Sequence, residues 1–194
     1  MKSQHSSKFF EAWNAYDSDQ SECAFRLMKE CAEAGDPVAC FTVANWYLNG
    51  EGTTVDVEKG SYWLDRLVLL ATQGNTEAQW ELSSKYRWGA CGLPVDYQKA
   101  NEWLERAAEN GCGDAQHHLA LYMEYGQYNY KQDRQLAEDW YQRAFDQDHP
   151  ETLYTFALRE FKEGKITEKA VTLLKRAADK GFKQAAHILH GHTH

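Results

Sequence analysis

Residues 78–111 decide the fold. They read Ala78-Gln-Trp-Glu-Leu-Ser-Ser-Lys-Tyr-Arg-Trp-Gly89 and, after Ala90 and Cys91, Gly92-Leu-Pro-Val-Asp96-Tyr-Gln-Lys-Ala100-Asn-Glu-Trp103-Leu-Glu-Arg-Ala-Ala108-Glu-Asn-Gly111. The stretch predicts two amphipathic helices. Gly89 stops the first, because a left-handed residue at a helix C-terminus costs glycine least. Asp96 fits the N-cap of the second, or a first-turn carboxylate facing its dipole. Gly111 closes the second helix. Neither helix can bury its apolar face alone, so the pair needs neighbours of its own kind.

The neighbours are present in the sequence. Gly35, Gly74, Gly111 and Gly181, with Asp148 as a degenerate copy, are spaced by 39, 37, 37 and 33 residues. Four residues after each anchor stands Ala39, Ala78, Ala115, Thr152 or Ala185. Gly50, Gly89 and Gly126 end the first helices, and Asp56, Asp96 and Asp133 precede the second. Four residues beyond each Asp comes Gly60, Ala100 or Ala137, and Ala170 holds the same phase. Trp63, Trp103, Trp140 and Leu173 follow at one common position, and Arg66, Arg106, Arg143 and Arg176 at another. Ala39, Ala44, Ala78, Ser83, Ala115, Ala120 and Ala157 are small enough to let paired helices approach closely. The tryptophans are expected to fill the seam between one hairpin and the next. Pro37 and Pro150 fall where a first helical turn tolerates proline. At the ends, Ser18–Glu22 caps a lone second-type helix through Ala34, Lys8–Ala15 adds a short helix in front, and Lys183–His190 covers the last repeat.

This pattern resembles the Sel1-like repeat, a relative of the tetratricopeptide repeat, over roughly Ser18 to His190. The copy from Ala39 to Gly74 matches nearly as well as the quoted one. From Ala115 the match weakens, since Gly126-Gln-Tyr-Asn-Tyr130 lacks a second glycine, and Glu163-Gly164-Lys165 shortens the last linking loop. The resemblance implies an all-α fold: an α/α superhelix (solenoid) of about four helical hairpins with terminal capping helices. The expected organisation is an N-terminal segment 1–17, one repeat domain over 18–190, and a flexible tail 191–194. The resemblance also implies a protein that works by binding another protein or peptide in a concave groove.

Composition narrows the partners. The net charge is −8 and no run of Lys or Arg stands out, which argues against free nucleic acid, because phosphates need a concentrated basic surface. No apolar stretch is long enough for a membrane span or follows Met1–Lys8, so a cytoplasmic location without membrane association is expected. The five cysteines, Cys23, Cys31, Cys40, Cys91 and Cys112, are irregularly spaced without a CxxC pair. They read as reduced thiols, Cys31 and Cys40 packed between helices, with no structural zinc. No cofactor is expected. The tail His187-Ile-Leu-His190-Gly-His192-Thr-His194 has the chemistry to hold a metal loosely, but frayed ends seldom fix ligands, so no metal site is assigned.

Catalytic motifs are missing: no GxSxG, P-loop, HExxH or dinucleotide fingerprint occurs, and an enzyme is not expected. His117-His118 places one imidazole in the groove and the other to the side. The phased arginines read as partners of nearby carboxylates that support the stack. In tetratricopeptide-like stacks the first helices line the concave face. By phase that face takes Phe41, Asn45 and Leu48; Trp80, Ser84, Arg87 and Trp88; His117, Leu121, Glu124 and Tyr125; and Tyr154, Leu158 and Phe161. Arg87 and Trp88 precede a helix-ending glycine, where exposure is expected. Mixed aromatic and polar strips of this kind make binding hot spots. The expectation is an adaptor or regulator, monomeric or weakly dimeric. An alternative is an immunity or antitoxin protein that neutralises a toxin. A third reading, a β-lactam-acting enzyme as in some disulfide-rich relatives, loses its main support, because only Cys31 and Cys40 fall at matching positions and Ala107, Ala144 and Ala177 stand where later cysteines would.

Overall fold

The computed structural model describes residues 5–161 and 167–191, and among these every regular element is helical. The chain divides into two compact units, the first ending at Cys112 and the second beginning at Gly113. The first holds α1 (Ser7–Asp17), α2 (Ser21–Glu33), α3 (Pro37–Asn49), α4 (Val57–Thr72), α5 (Thr76–Trp88) and α6 (Tyr97–Glu109). The second holds α7 (Gly113–Tyr125), α8 (Arg134–Asp146), α9 (Pro150–Arg159), α10 (Glu168–Asp179) and α11 (Lys183–Gly191). Consecutive helices pack as hairpins, α1 with α2 through α9 with α10, and α11 lies against α10.

The boundaries follow from capping chemistry. Asp56, Asp96 and Asp133 each accept a hydrogen bond at 3.0 Å from the backbone N–H three residues on. That satisfies one of the donors a helix start leaves open. Asp36 and Asn75 do the same for α3 and α5. Pro37 and Pro150 occupy the first turn of α3 and α9. Gly89 ends α5 at φ 67°, the left-handed region its position requires. Asp148 adopts φ 58° at the anchor position that glycine holds elsewhere, which explains why the fourth copy survives without the glycine.

Packing departs from the sequence reading in three places. The N-terminal segment is a complete hairpin: Trp13 and Tyr16 of α1 lie at 6.1 and 5.5 Å from the Trp46 ring of α3. Of the phased tryptophans, Trp63 is buried, whereas Trp103 and Trp140 are half-buried. Instead of pairing with acids as expected, Arg106 and Arg143 lie over the faces of Trp103 and Trp140, 4.8 and 4.3 Å from the ring centres. Such cation–π contact covers one face of a half-buried ring. Arg176 does take an acid, Asp148.

The small residues expected at close helix approaches, Ala39, Ala44, Ala78, Ser83, Ala115, Ala120 and Ala157, are all buried. A Cβ on Gly60 of α4 would come within 2.8 Å of the Leu48 side chain in α3, so any larger residue there has to displace Leu48. Met28, Val43, Leu67 and Leu82 form the centre of the first unit, and Leu153, Leu174 and Ala157 the centre of the second. Cys31 and Cys40 are buried, and the Cys40 thiol donates to the Ala32 carbonyl; burial pushes its pKa up to about 11. The short loop at Glu163–Lys165 and the tail residues His192 and His194 lie outside the described residues. No helix among the described residues is long and apolar enough to cross a membrane.

Candidate functional site

Each first helix presents three kinds of side chain, and counting from the anchor residue separates them. Six residues past the anchor, the side chain meets the first helix of the following repeat. Phe41 lies under Lys85 of α5, whose ammonium sits 3.9 Å from the ring centre. His117 reaches Thr152 of α9, and Tyr154 packs 5.1 Å from Phe182. Thirteen past the anchor, the side chain enters the seam of its own hairpin. Leu48 sits against Gly60, Arg87 donates to the Asn101 side chain of α6 at 3.4 Å, and Glu124 accepts the Tyr141 hydroxyl proton of α8 at 2.9 Å.

These two positions correct the expected face. Arg87 is 3% exposed rather than open, and His117 is 6% exposed rather than groove-facing. His118 is the more accessible of the pair, its Nδ1 lying 2.9 Å from the Asp114 carbonyl. Within each unit the more open side of α5, α7 and α9 is a stripe at the third, seventh, tenth and, where described, fourteenth positions past the anchor, spaced as one helix face requires; Trp88, Asp114, Tyr125 and Leu158 are exposed on it and the rest are half-buried, while Thr42 at the matching position of α3 is buried. In the first unit it carries Glu77, Glu81, Ser84 and Trp88 on α5, with Asn45 on α3. In the second it carries Asp114, His118, Leu121 and Tyr125 on α7, and Glu151, Thr155 and Leu158 on α9. Trp80 and Phe161 are half-buried beside it. Glu77, Glu81, Asp114 and Glu151 were missed by sequence reasoning. The signal was available, as acids recurring in phase, but solvated helix positions in any protein carry such residues.

Two features give the stripe its character. Trp88 is 63% and Tyr125 is 61% exposed, at the same repeat position, immediately before a left-handed glycine. The acids around them are held by local partners, such as Lys85 to Glu81 at 2.9 Å. The stripe is therefore aromatic with an acidic border, as suits a partner offering apolar and basic groups.

Beneath the stripe of the second unit lies a buried polar cluster. Thr152 Oγ1 stands 2.9 Å from His117 Nδ1 and 3.1 Å from His149 Nδ1, while His149 Nε2 lies 3.1 Å from Asp114. Thr152 has one proton to give. With both rings neutral, His117 Nδ1–H donates to Thr152, Thr152 O–H donates to His149 Nδ1, and His149 Nε2–H donates to Asp114. Burial, reinforced by the neighbouring His149 and His118, lowers the His117 pKa to about 3. The hydrogen bond from His149 holds the Asp114 carboxyl below the usual range. A hydroxyl, an imidazole and a carboxylate in series are the parts of a nucleophilic triad. Here the hydroxyl belongs to a residue with no exposed surface, so no substrate can meet it. The cluster ties α7 to the start of α9. Its members sit where other repeats carry Phe41, Asp36 or Ala39, which makes the fourth repeat locally distinct.

A family profile described as Sel1 repeat matches residues 37–68, 76–112, 113–149 and 167–182. The structure is similar to a Sel1 repeat protein from Oxalobacter formigenes, with 26% identity, a TM-score of 0.62, and coverage of 92% of this chain and 74% of that one. It is also similar to a protective antigen of uropathogenic Escherichia coli strains, at 25% identity and a TM-score of 0.56; that match covers 92% of this chain but 38% of the antigen. An immunity protein from Pseudomonas aeruginosa shares the fold at 19% identity, with a TM-score of 0.61 and coverage of 96% and 69%. No curated protein matches the chain.

Proposed function

Because the chain belongs to the Sel1 repeat family, matched over more than half its length, we propose that it is a protein–protein interaction module that holds a partner protein or peptide on the first-helix stripes of its two units. Sel1 repeat proteins generally bind other proteins. The observation that carries the reading is the pair of exposed rings at matched positions, Trp88 and Tyr125. Large exposed aromatics at a repeated site, bordered by polar side chains, are the composition of interface anchors. The module acts by occupancy rather than chemistry, since the series of groups that resembles a catalytic set is sealed. It requires no cofactor and no metal, and its resting state is a monomer or weak dimer in the cytoplasm. The β-lactam reading gains nothing, as Cys31 and Cys40 are both free thiols turned to other partners.

A narrower reading is an immunity protein that neutralises a toxin; the Pseudomonas aeruginosa neighbour is an immunity protein. Support for this reading in the present chain is charge. A net −8 with Glu77, Glu81, Asp114 and Glu151 along the stripe steers a basic target and speeds its capture.

Affinity capture from native extract, comparing the wild type with Trp88→Ala and Tyr125→Ala, tests the proposal. A partner retained by the wild type and lost by both variants, at unchanged helicity, is the expected outcome. Equal retention by all three proteins removes the stripe from consideration. Growth rescue on co-expression with a candidate toxin separates the inhibitor from the general adaptor.

A further inference from the structure

The second unit contains a crevice of about 390 Å³, walled by Gln142 and Phe145 of α8, Phe156 and Arg159 of α9, and Lys169 and Leu173 of α10. Its position in the repeat explains why it is there. In the first unit the matching repeat positions of α4, α5 and α6 carry Val68, Leu82, Tyr86 and Trp103; Leu82 is buried in the core and the other three are partly buried against that core. Lys99 rests over the Tyr86 ring at 5.3 Å. In the fourth repeat Leu173 stands where Trp103 does, and Glu160 stands where Tyr86 does. Two rings are thus replaced by smaller or polar side chains. Phe145 and Phe156 return part of the volume, but as a stacked pair 4.9 Å apart that makes a flat floor. The result is an aromatic-floored socket in which the repeat's own tryptophan is missing.

We propose that this socket receives the indole ring of a tryptophan presented by a partner polypeptide. Three repeats supply that ring from their own second helix, as Trp63, Trp103 and Trp140. The fourth carries the smaller Leu173 there, buried in the core and forming one wall of the crevice. Charge at the mouth favours indole over other rings. The Arg159 and Lys169 cations are engaged by Glu138 at 2.7 Å and Glu160 at 2.6 Å. What the mouth offers a newcomer is the Glu138 carboxylate, 52% exposed, which retains acceptor lone pairs after its Oε2 pairs with Arg159. Indole brings one N–H donor and no acceptor, so it meets that rim without an unmatched group. The Arg159 guanidinium, 5.1 Å from the Phe156 ring centre, closes one side with a cationic face that suits a second π-system. The socket shares no residue with the first-helix stripe. That the donor is a polypeptide rests on the interaction-module reading; the preference for indole does not.

The test uses the full chain and N-acetyl-tryptophanamide as the probe. Methyl and aromatic NMR spectra of the wild type should shift at Leu173, Phe145 and Phe156 on titration, and N-acetyl-leucinamide should shift them at least tenfold less at equal concentration. Leu173→Trp should fill the socket from inside, raise the thermal midpoint by a few degrees and abolish the shifts. Gln142→Trp, at an exposed wall position, provides the same occlusion if the first variant does not fold. Absence of wild-type shifts, equal response to the leucine probe, or shifts that persist in an occluded variant would each overturn the proposal. If the probe binds but no captured partner depends on the socket, the indole site stands and the polypeptide donor fails.

Discussion

Acid should weaken the second unit through one residue, His117. An unfolded chain protonates this ring near pH 6.5, whereas in the fold burial holds its pKa at about 3. Between those values the unfolded state binds a proton that the folded state refuses. Stability from this group is therefore complete above about pH 6.5 and declines as pH falls toward 3. The whole interval corresponds to about 5 kcal/mol at 1.36 kcal/mol per pH unit. At pH 5 the loss is already about 2 kcal/mol, a large share of the margin on which a domain stands. Several charges face the ring. Glu151 Oε2 lies 3.7 Å from Nε2 and favours protonation, as does Asp114, while His149, His118 and Arg159 oppose it. Asp114 acts in the same direction on stability, since its carboxyl is held low by His149 and loses that support only in stronger acid.

The control is His117→Phe, which installs the side chain that Phe41 carries at the matching repeat position. It removes the titrating group and leaves the Thr152 to His149 bond in place. Urea unfolding followed by circular dichroism from pH 7.5 to 4.5 should show the wild type losing about 2 kcal/mol by pH 5 relative to the variant. Parallel curves for the two proteins would refute the assignment, because the acid sensitivity would then belong to another group.

Other expectations are simpler. Replacing Asp56, Asp96 or Asp133 with alanine removes a side-chain cap and should lower stability by about 1 kcal/mol each, read as a shift in the thermal midpoint. Arg87→Glu should destabilise the first unit by about 3–5 kcal/mol, because it places an uncompensated carboxylate in the α5–α6 seam. Helicity at 37 °C and a melting curve would show it; a fold as stable as wild type would mean that Arg87 is not held where the structure places it.

The fold was legible because repeats over-determine it. Gly50, Gly89 and Gly126, the Asp caps, and the small residues opposite them are each weak signals, but their common phase admits one architecture. The candidate site was half legible. The first helices could be identified, and Trp88 stands exposed as its place before Gly89 suggested, whereas Arg87, expected to be exposed beside it, is buried. The rotation of each helix about its axis could not be read with the same accuracy. Two neighbours compete for the first helix, its own hairpin partner and the next repeat, and both contact faces adjoin the open one. Leu48, Arg87 and Glu124 went to the hairpin partner, and Phe41, His117 and Tyr154 to the next repeat. A hydrophobic pattern cannot distinguish those faces when one is sealed by Arg87 and the other by His117, because polar residues mimic solvent exposure in sequence. What would have distinguished them is departure from the repeat. Thr152 where alanine recurs, His149 where Asp36 and Asn75 cap, and Leu173 where tryptophan recurs all fall in the fourth copy. A repeat that exchanges apolar or capping residues for titratable ones must satisfy them internally. One that surrenders a core ring must leave a hole or borrow a filling. The same reasoning that finds the histidine cluster finds the socket, and it needs only the sequence of the other three copies as its reference.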